Sequence, residues 1–228
     1  MSAWDAFVED FVTYKGYEMV LDGLKNTLII ALAGLAIGVL IGTLIAVIKV
    51  VPSNGKVMMA LGKVCDVYVA LFRGIPMVVQ LLLVYYVIFP GLPNMAAAIL
   101  AFGLNSGAYV SEIMRGGILS VDPGQLEAGR SLGMSYSRSM WNVVLPQSLK
   151  NILPTMGNEL IALVKETSVV SFIAVVDLTR AFRSIASANY EYIVPYCMLA
   201  LFYLVIVLIF TVLIRLMERR MKKNERRR

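Results

Sequence analysis

Between Thr27 and Val51 the chain carries a single charge, Lys49. A helix over that length reaches across a hydrocarbon layer about 30 Å thick. Further apolar runs lie at 61–89, 95–118, 152–176 and 195–216. A soluble domain cannot bury so many long runs, and 59% hydrophobic against 16% charged residues, with a mean hydropathy of +0.76, places the whole chain in a lipid solvent. The reading is an all-α membrane protein of five transmembrane helices, forming one membrane domain over residues 1–228.

Loop charges set the orientation. Residues 1–22 interleave Trp4, Phe7, Val8, Phe11, Val12 and Tyr14 with acids, which suits an amphipathic helix on the membrane surface. Five acids and two lysines in residues 1–26 give −3, disfavouring the cytoplasmic side, and the segment does not resemble a cleavable signal peptide. Lys49, Lys56 and Lys63 surround the Pro52-Ser53-Asn54-Gly55 turn and mark it as cytoplasmic, opposite an uncharged external turn at Pro90-Gly91-Leu92-Pro93. From Arg115 to Lys150 the net charge is +2, again inside. Residues 177–193 form an external segment with a surface helix on which Leu178, Phe182 and Ile185 share a face. From Arg215 to Arg228 the net charge is +6, and the basic tail at 217–228 suits anionic lipid headgroups rather than nucleic acid. The amino terminus is therefore expected outside and the carboxyl terminus in the cytoplasm.

Polar residues inside the spans are where chemistry is expected. Gly34, Gly38 and Gly42 recur every four residues, the small-residue pattern of close helix packing. Arg73, followed by Gly74 and Pro76, lies where the second run must kink or break; it either satisfies freed carbonyls or lines a pathway. The third run has a polar face of Asn105, Ser106, Ser111 and Glu112. The fourth contains Asn158, Glu159, Lys165, Glu166, Thr167 and Ser168, with Glu159, Leu163 and Glu166 on one helical face. Intramembrane ionisable groups make Glu159, Asn158, Arg73, Glu112, Lys165, Glu166 and Ser168 candidates for a translocation pathway. For Lys165 the alternative is a pairing that only holds the bundle together.

The segment 120–147 is polar and well punctuated. Asp122 can cap a helix that starts at Pro123, with Gln125 in the capping-box position and Gly133 at its end. A second helical run, Ser137 to Leu145, is expected to stop at Pro146. Small residues at Ala128 and Gly129 suit docking against another protein, on the cytoplasmic face.

Several chemistries are excluded. The chain has no histidine, so histidine catalysis and histidine metal ligation are out, and no metal site is expected. Cys65 and Cys197 lack CxxC spacing and read as core residues. No GxxxxGK[ST] phosphate loop is present, so the chain is not the ATPase and carries no cofactor of its own.

Glu127-Ala128-Gly129, Gly133 and Leu145-Pro146 resemble the EAA loop of ABC importer permeases. Gly129 stands where the family has Ala, a departure that touches helix propensity by about 1 kcal/mol. The resemblance to the polar amino-acid permeases extends through Phe72-Arg73-Gly74-Ile75-Pro76, Ala108-Tyr109-Val110-Ser111-Glu112-Ile113 with Arg115-Gly116-Gly117, and Gly157-Asn158-Glu159 to Lys165-Glu166-Thr167-Ser168, nearly the whole chain. It implies a type I importer permease in the bacterial inner membrane, with Gln125, Glu127, Ala128, Gly129 and Gly133 coupling it to separate ATPase subunits that bind ATP and magnesium. It also implies a second permease subunit, identical or different, and an extracytoplasmic amino-acid-binding protein. Relatives carry a neutral glutamine at the position of Glu159, and a carboxylate there favours a cationic side chain or an α-amino group. Arginine, lysine and histidine are thus favoured as substrate, with glutamine and cystine open. A proton-coupled secondary transporter using Glu159 and Glu166 is the alternative, although no internal inverted repeat supports it.

Overall fold

The computed structural model describes residues 2–13, 15–52, 55–188 and 190–225. Tyr14 of the amino-terminal segment, Ser53 and Asn54 of the basic turn, and residues 226–228 of the tail lie outside the described residues. The described chain is helical throughout its regular structure: α1 (Ala3–Val8), α2 (Gly16–Val50), α3 (Lys56–Gly74), α4 (Met77–Leu82), α5 (Asn94–Leu119), α6 (Pro123–Ser131), α7 (Tyr136–Ser139), α8 (Leu145–Glu166), α9 (Leu178–Ala188) and α10 (Ile193–Glu225). π-helical turns extend α1 over Glu9–Thr13, α4 over Leu83–Ile88 and α7 over Met140–Val144, and a 3-10 stretch continues α8 over Thr167–Ile173.

The centre of the bundle is the contact between α2 and α5. Gly34, Gly38 and Gly42 bring the backbones so close that an added Cβ would sit 2.9 Å from Phe102 Cβ, 2.5 Å from Ser106 Oγ and 2.7 Å from Val110 Cβ. The arrangement is reciprocal: Gly103 and Gly107 of α5 receive Ile37 and Ile41 of α2. Without a hydrophobic force between helices in lipid, such approach supplies the dispersion contacts that hold them together.

α9 closes one end of the bundle. Its shared face of Leu178, Phe182 and Ile185 is buried against the core, while Arg183, Ser184 and Ser187 on the other side are exposed. Buried Asp177 caps it, accepting from the N–H groups of Thr179 (2.9 Å) and Arg180 (3.0 Å). Asn26 of α2 donates to Val176 O at 2.8 Å, and Thr27 Oγ1 accepts from Leu178 N at 3.2 Å, which ties this end to the central pair. At the amino terminus Phe7 is buried and stacks on Phe11 with centroids 5.1 Å apart, while Trp4 and Val12 remain exposed.

Among the described residues three helices, α2, α5 and α10, are long and apolar enough to cross a membrane, and α3 with the α4 segment makes a fourth if the bent pair counts as one. The run 61–89 is not a single straight helix, since its halves meet at 109°. The run 152–176 differs too: α8 begins earlier, at Leu145, and gives way to the 3-10 stretch at Thr167. Pro146 does not stop the preceding helix. The π turn before it bonds Leu145 N to Met140 O, and Pro146 then falls in the first turn of α8, where its missing N–H is tolerated. Cys65 is buried, but Cys197 lies exposed on the outward face of α10.

Candidate functional site

The break between α3 and α4 follows from Gly74-Ile75-Pro76. Ile75 is extended (φ −99°, ψ 133°) and Pro76 offers no N–H, so carbonyls at the end of α3 are left without helical partners. Gln80 Nε2 donates to both Phe72 O and Ile75 O at 2.7 Å. Asn105 Nδ2 of α5 donates to Phe72 O (3.3 Å) and to Gln80 Oε1 (3.1 Å). Both amides are 4% exposed, so the freed carbonyls are satisfied by a closed network. Arg73 takes no part in it. Its guanidinium lies over the Tyr109 ring, 5.4 Å from the centroid.

Arg73, Tyr109, Glu112, Asn151 and Thr155 border a cavity of about 440 Å³ between α5 and α8. Glu159 is half-buried one helical turn beyond Thr155, and its Oε1 accepts from Ser106 Oγ at 3.2 Å. Glu112 is already compensated: Arg115 Nη2 approaches its Oε2 at 2.7 Å and Lys49 Nζ its Oε1 at 3.1 Å. Lys49 also reaches Asp66 at 2.9 Å, which joins α2, α3 and α5 at one level. The structure thus brings Arg73 and Glu112 to one cavity, while Glu159 lies one turn beyond the Thr155 that borders it and does not itself line it. Lys165 and Ser168 stand apart, bordering a separate groove of about 500 Å³ against Tyr203, Leu204 and Val207. Asn158 and Glu166 are exposed.

Gln80 was not among the sequence candidates. A lone amide in an apolar run, four residues after the proline, was the available signal. Asp66 was not among them either, because its partner Lys49 lies on another helix and nothing local links the two.

The segment 120–147 folds as a capped helix laid on a second one. Asp122 Oδ1 accepts from Gly124 N at 2.8 Å, Pro123 opens α6, and Gly133 has φ +82°, a left-handed position that ends the turn. The capping box is incomplete. Gln125 turns away from the cap and its Oε1 accepts from Gln147 Nε2 at 3.2 Å, clamping α6 to the start of α8. Gly129 is buried, and an added Cβ would lie 2.8 Å from Ser139 Oγ of α7. The glycine therefore serves close packing, and the family's alanine would lose to overpacking here what it gains in helix propensity. Tyr136 donates to Val50 O at 3.5 Å, and partial burial raises its phenol above the ordinary value. The outward side presents Glu127, Ala128, Leu132 (84% exposed) and Trp141 (71%).

Residues 38–223 match the family described as the binding-protein-dependent transport system inner membrane component, and the chain belongs to that family. It is a multi-pass component of the inner membrane. In sequence it is similar to the arginine transport system permease protein ArtQ of Bacillus subtilis, 38% identical over 214 residues that cover 90% of this chain and 94% of that protein. It is also similar to the glutamine transport system permease protein GlnP of Escherichia coli, at 35% over 209 residues, 90% and 93% of the two chains. The crystal structure of an amino acid ABC transporter with histidines superposes with a TM-score of 0.84 and 41% identity, covering 92% and 97%. The inward-facing MetNI methionine ABC transporter has the same fold, with a TM-score of 0.61 at 21% identity over 91% and 94%.

Proposed function

We infer that this chain is the permease subunit of an ATP-driven amino-acid importer, working by alternating access. The observation that carries the mechanism is a mechanical connection. α6 presents Glu127, Ala128 and Leu132 outward, and Gly129 and the Gln125–Gln147 bond fasten it to one unbroken helical path from Tyr136 to Glu166. Glu159 lies on that path about 21 Å beyond Leu145. A push on α6 from an ATPase groove would therefore move the carboxylate in the bundle. ATP and magnesium bind in that partner. Two permease subunits, identical or different, form the path, and an extracytoplasmic binding protein delivers the amino acid. We place five crossings, α8 with its 3-10 continuation being the fourth in chain order, with the amino terminus outside and the basic carboxyl end in the cytoplasm. Glu159 favours substrates with a positive group near the site, such as arginine, over neutral ones. The relatives at 35–38% identity favour this reading over the proton-coupled transporter.

The test is uptake of labelled arginine and glutamine into proteoliposomes holding this chain, its ATPase and its binding protein. ATP-dependent arginine uptake, lost in Glu159→Gln and in the docking variant Gly133→Asp, is the expected result. Glutamine uptake indifferent to Glu159→Gln would sink the substrate assignment alone. Uptake driven by a proton gradient, unchanged in Gly133→Asp, would overturn the importer.

A further inference from the structure

Arg73 is a cation in search of a counter-charge. Among the described residues it has no carboxylate or carbonyl partner, only the face of Tyr109. The carbonyls it could have satisfied belong to Gln80 and Asn105. Glu112, the acid on its own cavity, is held by Arg115 and Lys49. An exposed guanidinium at the rim of that cavity, oriented by a ring and with no anion beside it among the described residues, is arranged for one that arrives from outside.

The cavity says what else that anion carries. Its α5 wall runs from Tyr109 to Ser120, about 16 Å along the helix. Its α8 wall runs through Asn151 and Thr155, and the same four-residue stripe continues to Glu159. Ser106, which binds Glu159, and Tyr109, which carries Arg73, are three residues apart on α5, about 4.5 Å of rise. The guanidinium at the Tyr109 end of the cavity, its head, thus has a carboxylate foothold one helical turn beyond it on α5, and 440 Å³ is ample for an amino acid.

Resting on the importer reading, we propose that Arg73, seated on Tyr109, binds the α-carboxylate of the transported amino acid while Glu159 takes its positive group. The head of the cavity then recognises a zwitterion by both ends and rejects the corresponding amide. The planar fork of arginine suits a carboxylate bidentately, which lysine cannot reproduce. Gln80 and Asn105 act as positioning residues, holding the break that aims Arg73.

The measurement is equilibrium binding of labelled arginine and labelled glutamine to the purified complex of this chain with its partner subunits, without the binding protein, which would impose its own selectivity. Argininamide and glutaminamide are the competitors. Wild type is expected to prefer acid over amide at least about tenfold, and Arg73→Gln to bind the acid about thirtyfold more weakly with no preference left. Arg73→Lys keeps the charge and should retain part of the preference with binding weakened about fivefold, which a merely structural defect would not produce. An undiminished acid-to-amide preference in Arg73→Gln would overturn the assignment, as would loss of binding in both variants without change in that preference. Failure of the wild-type complex to hold either amino acid also overturns the site, while ATP-driven uptake by the same complex leaves the importer reading standing.

Discussion

The α2–α5 contact and the α3–α4 break solve opposite problems with opposite means. At the contact, glycines on both helices remove side chains so that backbones meet, and nothing polar is needed. At the break, backbone has been exposed, and two buried amides are brought in to cover it. The two regions meet on consecutive residues of α5. Asn105 reaches the break, while Ser106 faces Gly38 in the contact and bonds Glu159 of α8. A steric contact of this kind has no second arrangement available, because any sliding drives Cβ atoms into backbone. Hydrogen bonds between helices can be exchanged for others. α2 and α5 are therefore expected to move as one slab, and under the proposed coupling a motion delivered through α8 would change where Glu159 stands relative to it.

The largest expected effect tests the slab. In Gly38→Val even the first carbon of the new side chain lies 2.6 Å from Ser106 Cβ and 3.0 Å from its backbone carbon. The helices must separate, at a cost of about 3 kcal/mol, and the Ser106–Glu159 bond goes with them. Thermal melting of the detergent-solubilised complex should fall sharply and uptake should vanish. Gly62→Ala on α3, with nothing within 4 Å, should melt like wild type. Equal melting of the two variants would break the comparison. Next comes Gln80→Leu, which keeps the volume but leaves the Phe72 and Ile75 carbonyls and the Asn105 amide short of partners. The loss should be about 2 kcal/mol in melting, smaller than at Gly38. Its uptake KM should rise more than its maximal rate falls, because the break positions Arg73. A larger melting defect at Gln80 than at Gly38 would reverse the roles assigned to the two regions.

Those regions were not equally legible in the sequence. Gly34, Gly38 and Gly42 announce the contact because helical period alone places them on one face. Gly74 and Pro76 announce the break for an equally local reason, the missing N–H. What covers the break was hidden, since Asn105 is distant in sequence and Gln80 reaches back only after the chain has turned through 109°. The same holds in the segment 120–147. Asp122, Pro123 and Gly133 behave as their local chemistry dictates, whereas Gln125 left the capping box for Gln147, a partner 22 residues away. Pro146 misled because a π turn ahead of it moved it into a first turn where proline is harmless. In the fourth run Glu159, Leu163 and Glu166 all lie within α8, so the helical register that grouped them holds; the change to 3-10 geometry begins only at Thr167, and Lys165 and Ser168 border a different groove.

The smaller effects ask whether the steric device is repeated outside the slab. Gly129 against Ser139 is a miniature of Gly38 against Ser106, with an added Cβ 2.8 Å from the hydroxyl instead of 2.5 Å. Gly129→Ala gains about 1 kcal/mol of helix propensity and loses somewhat more to overpacking. The net loss should be about 1 kcal/mol, read as lower melting and a two- to threefold drop in ATP-driven uptake as α6 loosens from α7. Ser139 Oγ is buried with no hydrogen-bond partner, so Ser139→Ala should be harmless by itself and should rescue Gly129→Ala. Rescue would show contact rather than chemistry at this site; its absence would mean that the hydroxyl serves the coupling movement. Smallest of all is Asp66→Asn. Its carboxylate is 2.9 Å from Lys49 but 63% exposed, and Lys49 keeps Glu112 as a second partner. Solvent screening limits the loss to about 0.5 kcal/mol, barely visible in melting and weaker still at high salt. A substantial defect there, insensitive to salt, would mean that Asp66 is shielded in the assembled transporter, and would place the α3 face beside a partner subunit instead of lipid or water.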